Sequence, residues 1–245
     1  MPTLEEEMAL FEQGYYFIAG LDEAGRGCLA GPVVAAAVIL PLDDADETMT
    51  RLTGVNDSKQ LTACTRERLY EVIMQHALAV GVGFGSVELI DRCNILQATK
   101  QAMRDALSQL SISPQALLLD ALHLSDISLP QRSIIKGDTL CLSIAAASII
   151  AKVTRDRLML QLHEQYPVYG FAQHKGYPTE VHLAALQQHG VTPLHRRSFA
   201  PVRERLGLFA ASNPIDEEGG HKIHIDQPDL VVDTIRQMVE QAQES

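Results

Sequence analysis

Residues 143–166 constrain this chain more than any other stretch. They read as one long helix, ended by Pro167. Its first half, Ile144-Ala145-Ala146-Ala147-Ser148-Ile149-Ile150-Ala151, is nearly all apolar or small. A helix that is apolar all round has to be buried on most sides, so the remaining elements have to enclose it. The second half is amphipathic and carries Lys152, Arg155 and Arg157. With 245 residues, 46% of them hydrophobic, the chain can build one well-buried domain with an appendage.

The segments before that helix mix strands and helices. Residues 17–21 and 33–40 are apolar runs joined by a short Gly- and Pro-containing connection, which predicts an antiparallel strand pair. Residues 61–79 have helical spacing, residues 79–87 alternate glycine with valine and phenylalanine as a third strand, and residues 94–110 form a second amphipathic helix. Residues 116–119 are a fourth strand ending in Asp120, and residues 133–135 a fifth. Thr179 is a candidate N-cap for a helix over 180–188, with Gly190 at its C-terminal end. Beyond about Leu206 the composition changes. Residues 1–206 are expected to form the folded body, and 207–245 an acidic linker with a final amphipathic helix over 228–243. His221 and His224 in that tail are not expected to bind metal.

No window is apolar enough to span a bilayer. The acidic start, Met1-Pro2-Thr3-Leu4-Glu5-Glu6-Glu7, is not a secretory signal. The four cysteines are scattered with no C-x-x-C pair, so reduced thiols and a cytoplasmic location are expected. The absence of Trp gives no advertised base-stacking platform. The net charge of −11 is unevenly spread. Residues 136–206 hold nine Lys/Arg and five Asp/Glu, a local +4, whereas 207–245 hold two bases and eight acids, −6. The basic zone is a candidate phosphate-binding face.

Chemistry concentrates at Asp22-Glu23-Ala24-Gly25-Arg26-Gly27, directly after the first strand. Two adjacent carboxylates beside an apolar core need a partner or a metal; taken alone, the stretch is equally a turn with solvated acids after an edge strand. Gly25 and Gly27 allow close backbone approach to a ligand, and Arg26 presents a guanidinium suited to phosphate. Asp120 closes the fourth strand, and Asp138 sits in Lys136-Gly137-Asp138 before the long helix. If strands one and four are neighbours, these acids can converge on one site. Asp22 and Glu23 can share it only if the strand bends or ends between them. Three or four oxygen ligands suit Mg²⁺ or Mn²⁺, and two such ions suit phosphodiester cleavage. Without metal, at least one acid should have a raised pKa. Asp138 taken alone is equally a loop or helix-start acid.

The chain resembles bacterial ribonuclease HII, the type 2 RNase H. The resemblance rests on Gly20-Leu21-Asp22-Glu23-Ala24-Gly25-Arg26-Gly27, Asn56-Asp57-Ser58-Lys59-Gln60-Leu61, Lys136-Gly137-Asp138, the run from Ser143 to Asp156, and His174-Lys175-Gly176-Tyr177-Pro178-Thr179. These motifs come in the family's order and cover roughly residues 15–205. The resemblance implies an α/β, RNase H-like fold, with a mixed five-stranded sheet flanked by helices. It implies a metal-dependent endoribonuclease that uses Mn²⁺ or Mg²⁺ on RNA–DNA hybrids and on duplex DNA containing ribonucleotides. Cleavage is expected 5′ to the ribonucleotide, leaving 3′-hydroxyl and 5′-phosphate ends.

By the same resemblance Asp22, Glu23, Asp120 and Asp138 are the catalytic, metal-binding carboxylates. Gly25, Arg26 and Gly27 read the ribonucleotide, and Tyr177 packs at the RNA–DNA junction against the 2′-hydroxyl. That hydroxyl, both donor and acceptor, is what distinguishes RNA from DNA at one position. Lys59, Lys152, Arg155, Arg196 and Arg197 are candidate phosphate-backbone contacts; Lys59 is equally an exposed lysine in a helix-start motif that Ser58 would cap. Two departures stand out. Ala121 follows Asp120 where relatives often have glycine, and this matters only if the backbone needs φ > 0 there. Pro178 stiffens the loop after Tyr177. A type HIII enzyme is disfavoured because only about twenty residues precede Asp22. A hybrid-binding protein without catalysis would not need four acids. A monomer with no membrane partner is expected.

Overall fold

The computed structural model describes residues 1–212, the side chains among them through Gly207. The expected C-terminal linker and helix lie outside the described residues.

An N-terminal helix α1 (Glu5–Phe11) precedes β1 (Ile18–Ala24) and β2 (Val33–Ile39). Helix α2 (Ala45–Arg51), a 3-10 turn (Ser58–Gln60) and α3 (Ala63–His76) lead to β3 (Ala79–Gly85). Then come α4 (Val87–Cys93), α5 (Ile95–Ser108), β4 (Ala116–Asp120), β5 (Gln131–Ile134), α6 (Gly137–Leu140) and the long α7 (Leu142–Gln165). A second 3-10 turn (Pro167–Tyr169), α8 (Phe171–His174), α9 (Glu180–His189) and α10 (Ala200–Ser212) complete the described chain. Helix α10 runs straight through Leu206.

The five strands form one mixed sheet in the order β3-β2-β1-β4-β5. β1 pairs antiparallel with β2 and parallel with β4, and β4 pairs parallel with β5. β2 is buried along its whole length because both faces of the sheet are covered. On one face Ala36, Val38 and Leu118 pack with Ile144, Ala147 and Ile150 of α7 and with Leu69 and Ile73 of α3. On the other, Ala35, Ala37, Leu117 and Leu119 pack with Ala98, Ala102 and Met103 of α5. The expected all-round burial of the first half of α7 holds: residues 142–151 are buried without exception.

Two close approaches fix the layers. A Cβ on Gly20 would lie 2.3 Å from the Ser143 carbonyl carbon, so β1 touches the backbone of α7 at its start. A Cβ on Gly81, Gly83 or Gly85 would lie 2.1, 2.0 or 2.7 Å from the carbonyl oxygens of Ala106, Ala102 and Ala98. The first turn of α7 is held by Glu7, whose Oε1 accepts from the Ser143 amide (2.8 Å) and hydroxyl (2.7 Å). Burial pushes the Glu7 carboxyl up, with Ser143 opposing. Glu7, which the sequence shows only as part of an acidic start, is an internal helix cap in the structure. Thr62, not Ser58, caps α3, and Asp57 caps the 3-10 turn while the Ser58 amide donates to Ser148. Among the described residues no helix is long and apolar enough to cross a membrane.

Candidate active site

Parallel pairing of β1 with β4 ends at Leu21 opposite Leu119. The next residues along, Asp22 and Asp120, therefore emerge at the same edge of the sheet. β1 does not stop at Asp22. It continues to Ala24 on β2 alone, with Asp22 opposite Ala36 and Glu23 opposite Ala35. Loss of the β4 neighbour, rather than an end of the strand, opens room beside both acids.

Asp138 is brought to this edge by α6. Lys136 and Ala121 take left-handed backbone angles, φ +59° and +50°, and the Gly137 amide donates to Asp120 Oδ1 at 2.9 Å. Asp120 thus ties the end of β4 to the turn carrying Asp138. The backbone does need φ > 0 at Ala121, the circumstance in which alanine matters.

The four acids share one electrostatic neighbourhood. Burial pushes the Asp22 carboxyl well above the usual carboxylate range, and Glu23, Asp120 and Asp138 push it further against one hydrogen bond from the Glu23 amide (2.7 Å). Burial also raises Glu23, opposed by Arg26, whose Nη1 is 3.0 Å from Glu23 Oε1. Asp138 is raised by burial and opposed by Lys59, whose Nζ donates to Oδ2 at 3.2 Å. Among the described residues no three His, Cys, Asp or Glu side chains close into a cage that would hold an ion by itself. The acids form an open edge. They nonetheless fit a hard divalent cation: all donors are oxygens, Glu23 Oε2 is buried with no hydrogen-bond partner, and Asp22 is destabilised as an anion until a cation neutralises the group.

Beside the acids runs the Gly25, Arg26, Gly27 turn. Gly25 has φ +95°, and a Cβ there would lie 2.0 Å from Arg155 Nε. Gly27 faces open space, the side from which a ligand would approach. Tyr177 is 39% exposed, and Lys152 Nζ lies 5.7 Å from its ring centroid. Burial, with Cys28 next to it, pushes the Tyr177 hydroxyl up.

Part of the expected basic face is internal or already paired. Arg155 and Arg196 are fully buried and bind backbone carbonyls, so neither is a phosphate contact. Lys152 is paired with Asp156 at 2.5 Å, and Arg157 with Glu67 and Glu71. Of the five predicted backbone contacts only Lys59 and Arg197 stand exposed, and Lys59 already leans on Asp138.

Sequence reasoning missed three buried histidines behind Tyr177. The Thr192 amide donates to His195 Nδ1 (3.1 Å), leaving the proton of the neutral ring on Nε2, which faces His182 Nε2 at 3.2 Å. The His182 Nδ1–H then donates to the Tyr177 carbonyl at 2.9 Å. His174 stacks on His182, accepts from the Gly176 amide and donates to the Tyr169 carbonyl. Burial lowers His182 to about 4 and His195 to about 3, so both rings are neutral at pH 7 and the chain of tautomers is fixed. Only His174 carried a sequence signal, through its place in the Tyr177 motif.

The fold is an α/β one that brings acids to the ends of adjacent central strands beside a glycine turn, and comparison with known proteins gives its class. The sequence model of ribonuclease HII matches residues 19–202. Ribonuclease HII of Bacillus cereus (strain Q1) is 55% identical over 200 residues, 82% of this chain and 75% of that one. Ribonuclease HII of Halalkalibacterium halodurans is 57% identical over 201 residues, 82% and 74%. Among solved structures, ribonuclease H2 from Pyrococcus horikoshii OT3 superposes with a TM-score of 0.63 at 29% identity, covering 80% of this chain and all of that one. Ribonuclease HIII of Bst, solved with Mn²⁺, gives 0.57 at 22% identity over 82% and 72%, a likeness of fold.

The chain belongs to the ribonuclease HII family. It has the RNase H-like fold and is a ribonuclease H, a hydrolase acting on the RNA of RNA–DNA hybrids.

Proposed function

We propose that this ribonuclease H is a divalent-cation-dependent endonuclease that also incises duplex DNA 5′ to a single embedded ribonucleotide. Its products carry 3′-hydroxyl and 5′-phosphate ends, and it serves ribonucleotide excision repair as a cytoplasmic monomer. The observation that carries the reading is the adjacency of the buried, mutually repelling acids to a glycine turn open on one side.

Asp22, Glu23, Asp120 and Asp138 would hold Mn²⁺ or Mg²⁺, two ions when substrate is present. Bound there, the ions supply an activated water and neutralise charge on the phosphodiester. The remaining work falls to the chain itself. Bare backbone at Gly25 and Gly27 reaches the 2′-hydroxyl, which donates and accepts at once. The half-exposed Tyr177 ring lies flat against the neighbouring sugar. Arg26 can leave Glu23 for a phosphate, because that ion pair is exposed on the arginine side and so is weak. Lys59 can do the same from Asp138.

The test is cleavage of a DNA duplex carrying one ribonucleotide, with Mn²⁺, Mg²⁺ or chelator, beside an all-DNA duplex and Asp22→Asn. The expected outcome is metal-dependent incision 5′ to the ribonucleotide, reduced by on the order of a hundredfold or more in Asp22→Asn. Equal incision in chelator, or in the variant, removes the proposal.

A further inference from the structure

Arg155 and Arg196 are both fully buried, and among the described residues neither has a carboxylate partner within ion-pair distance. Buried guanidinium groups without an anion are costly, so their placement needs an explanation. Arg155 reaches from α7 and donates to the carbonyls of Ala30 (Nη2, 3.0 Å), Pro32 (Nε, 3.0 Å) and Lys175 (Nη1, 2.8 Å). Arg196 donates to the carbonyls of Arg26 (Nη1, 2.9 Å) and Gly31 (Nε, 3.0 Å). Every acceptor lies in one of two loops: residues 26–32, which begin with the glycine turn, and residue 175, two before Tyr177. Backbone bonds join the same segments: the Leu29 amide donates to Gly176 O, Gly31 to Leu194 O, and Arg196 to Leu29 O. Gly25 packs directly on the Arg155 guanidinium.

We propose that Arg155 and Arg196 are positioning residues for sugar recognition, clamping the glycine turn and the Tyr177 loop into a single reading edge. The inference deepens the proposed reading of the site and rests on it. A planar guanidinium offers five donors in a fixed fork. It can therefore satisfy several carbonyls that converge from separate loops, which a lysine ammonium, a mobile point charge, cannot hold in one geometry. Neither arginine touches substrate; each acts through the backbone it fixes. Burial, with Arg155 nearby, lowers Arg196 to about 10, which still leaves it charged at neutral pH.

Arg155→Lys and Arg196→Lys keep the charge and remove the fork. Anisotropy in chelator compares a labelled duplex carrying one ribonucleotide with the same duplex in all DNA. The expected result, in variants shown to be folded by circular dichroism, is a loss of about tenfold in the preference for the ribonucleotide with little change in all-DNA binding. A merely structural role would move the melting temperature and not that ratio. An unchanged ratio in folded variants overturns the proposal. A wild-type chain that binds both duplexes alike overturns the sugar-reading site and this inference together. Should the variants not fold, residue-resolved hydrogen exchange on the wild type decides. The amides of Leu29, Gly31 and Arg196 should open at one common rate, and unrelated rates overturn the clamp.

Discussion

At Asp22 a carboxyl group is buried beside three other acids, a placement that disfavours its ionised form. Activity and stability should therefore part at this residue. Asp22→Asn removes a repelled charge and keeps the shape, so its melting temperature in chelator should match or exceed that of the wild type while cleavage is lost. Thermal unfolding followed by circular dichroism checks this; a melting temperature clearly below the wild type contradicts it. Ala121 makes the opposite kind of case. It is exposed and holds φ +50°, where a side chain costs about 1–2 kcal/mol relative to glycine. Ala121→Gly should stabilise the protein by about 0.5–1 kcal/mol after the entropy cost of glycine, measured by urea unfolding. Asp22 and Asp120 were legible in the sequence because each closes an apolar run, whereas Asp138, equally a loop or helix-start acid by itself, was singled out by the family resemblance. The roles of Arg155 and Arg196 were not legible. Their acceptors at Ala30, Pro32, Gly31 and Arg26 lie more than a hundred residues away along the chain, and a charge count cannot tell an arginine facing phosphate from one holding carbonyls.

Among the elements, β1 shows where local pattern reading ran short. Its apolar run ends at Leu21, and so does its pairing with β4, yet β2 carries the strand three residues further. The sequence marks the loss of one neighbour and says nothing of the other. By contrast α7 and β4 were readable to within a residue, because β4 and the first half of α7 leave a continuous apolar record and Pro167 marks where α7 ends. In β3 glycine is present for space. Gly83→Ala would drive a Cβ into the Ala102 carbonyl oxygen, and overpacking of this kind costs about 1–3 kcal/mol or more. A fall in the urea midpoint of that size is expected; an unchanged midpoint would mean α5 can back away freely.

For the whole molecule, net charge is a poor guide to the site. Of the basic residues of 136–206, Arg155 and Arg196 are buried and Lys152 and Arg157 are ion-paired, while Lys136, Arg197 and Arg203 are exposed; Arg26 and Lys59, outside that zone, are the accessible cations beside the buried acids. Acid sensitivity should come from the other end of the site. His182 and His195 stay neutral in the fold down to about 4 and about 3, whereas in the unfolded chain they take up protons near 6.5. The unfolded state therefore binds more protons in that window, and their contribution to stability is lost as pH falls. His195→Asn removes one such group, so the stability gap between wild type and variant should narrow from about pH 7 to about pH 4 in urea titrations. A constant gap would show that the ring is not held neutral. Finally, the glycines of β3 mesh with the carbonyls of Ala98, Ala102 and Ala106 as a rack meshes with a gear. Four residues of helix advance about 6.0 Å and two of strand about 6.6 Å, so the teeth drift by only about half an ångström per step and three in a row can engage. A glycine-rich edge strand is otherwise free to slip its register. Here a slip by one residue would put a valine or phenylalanine where a helix backbone already lies.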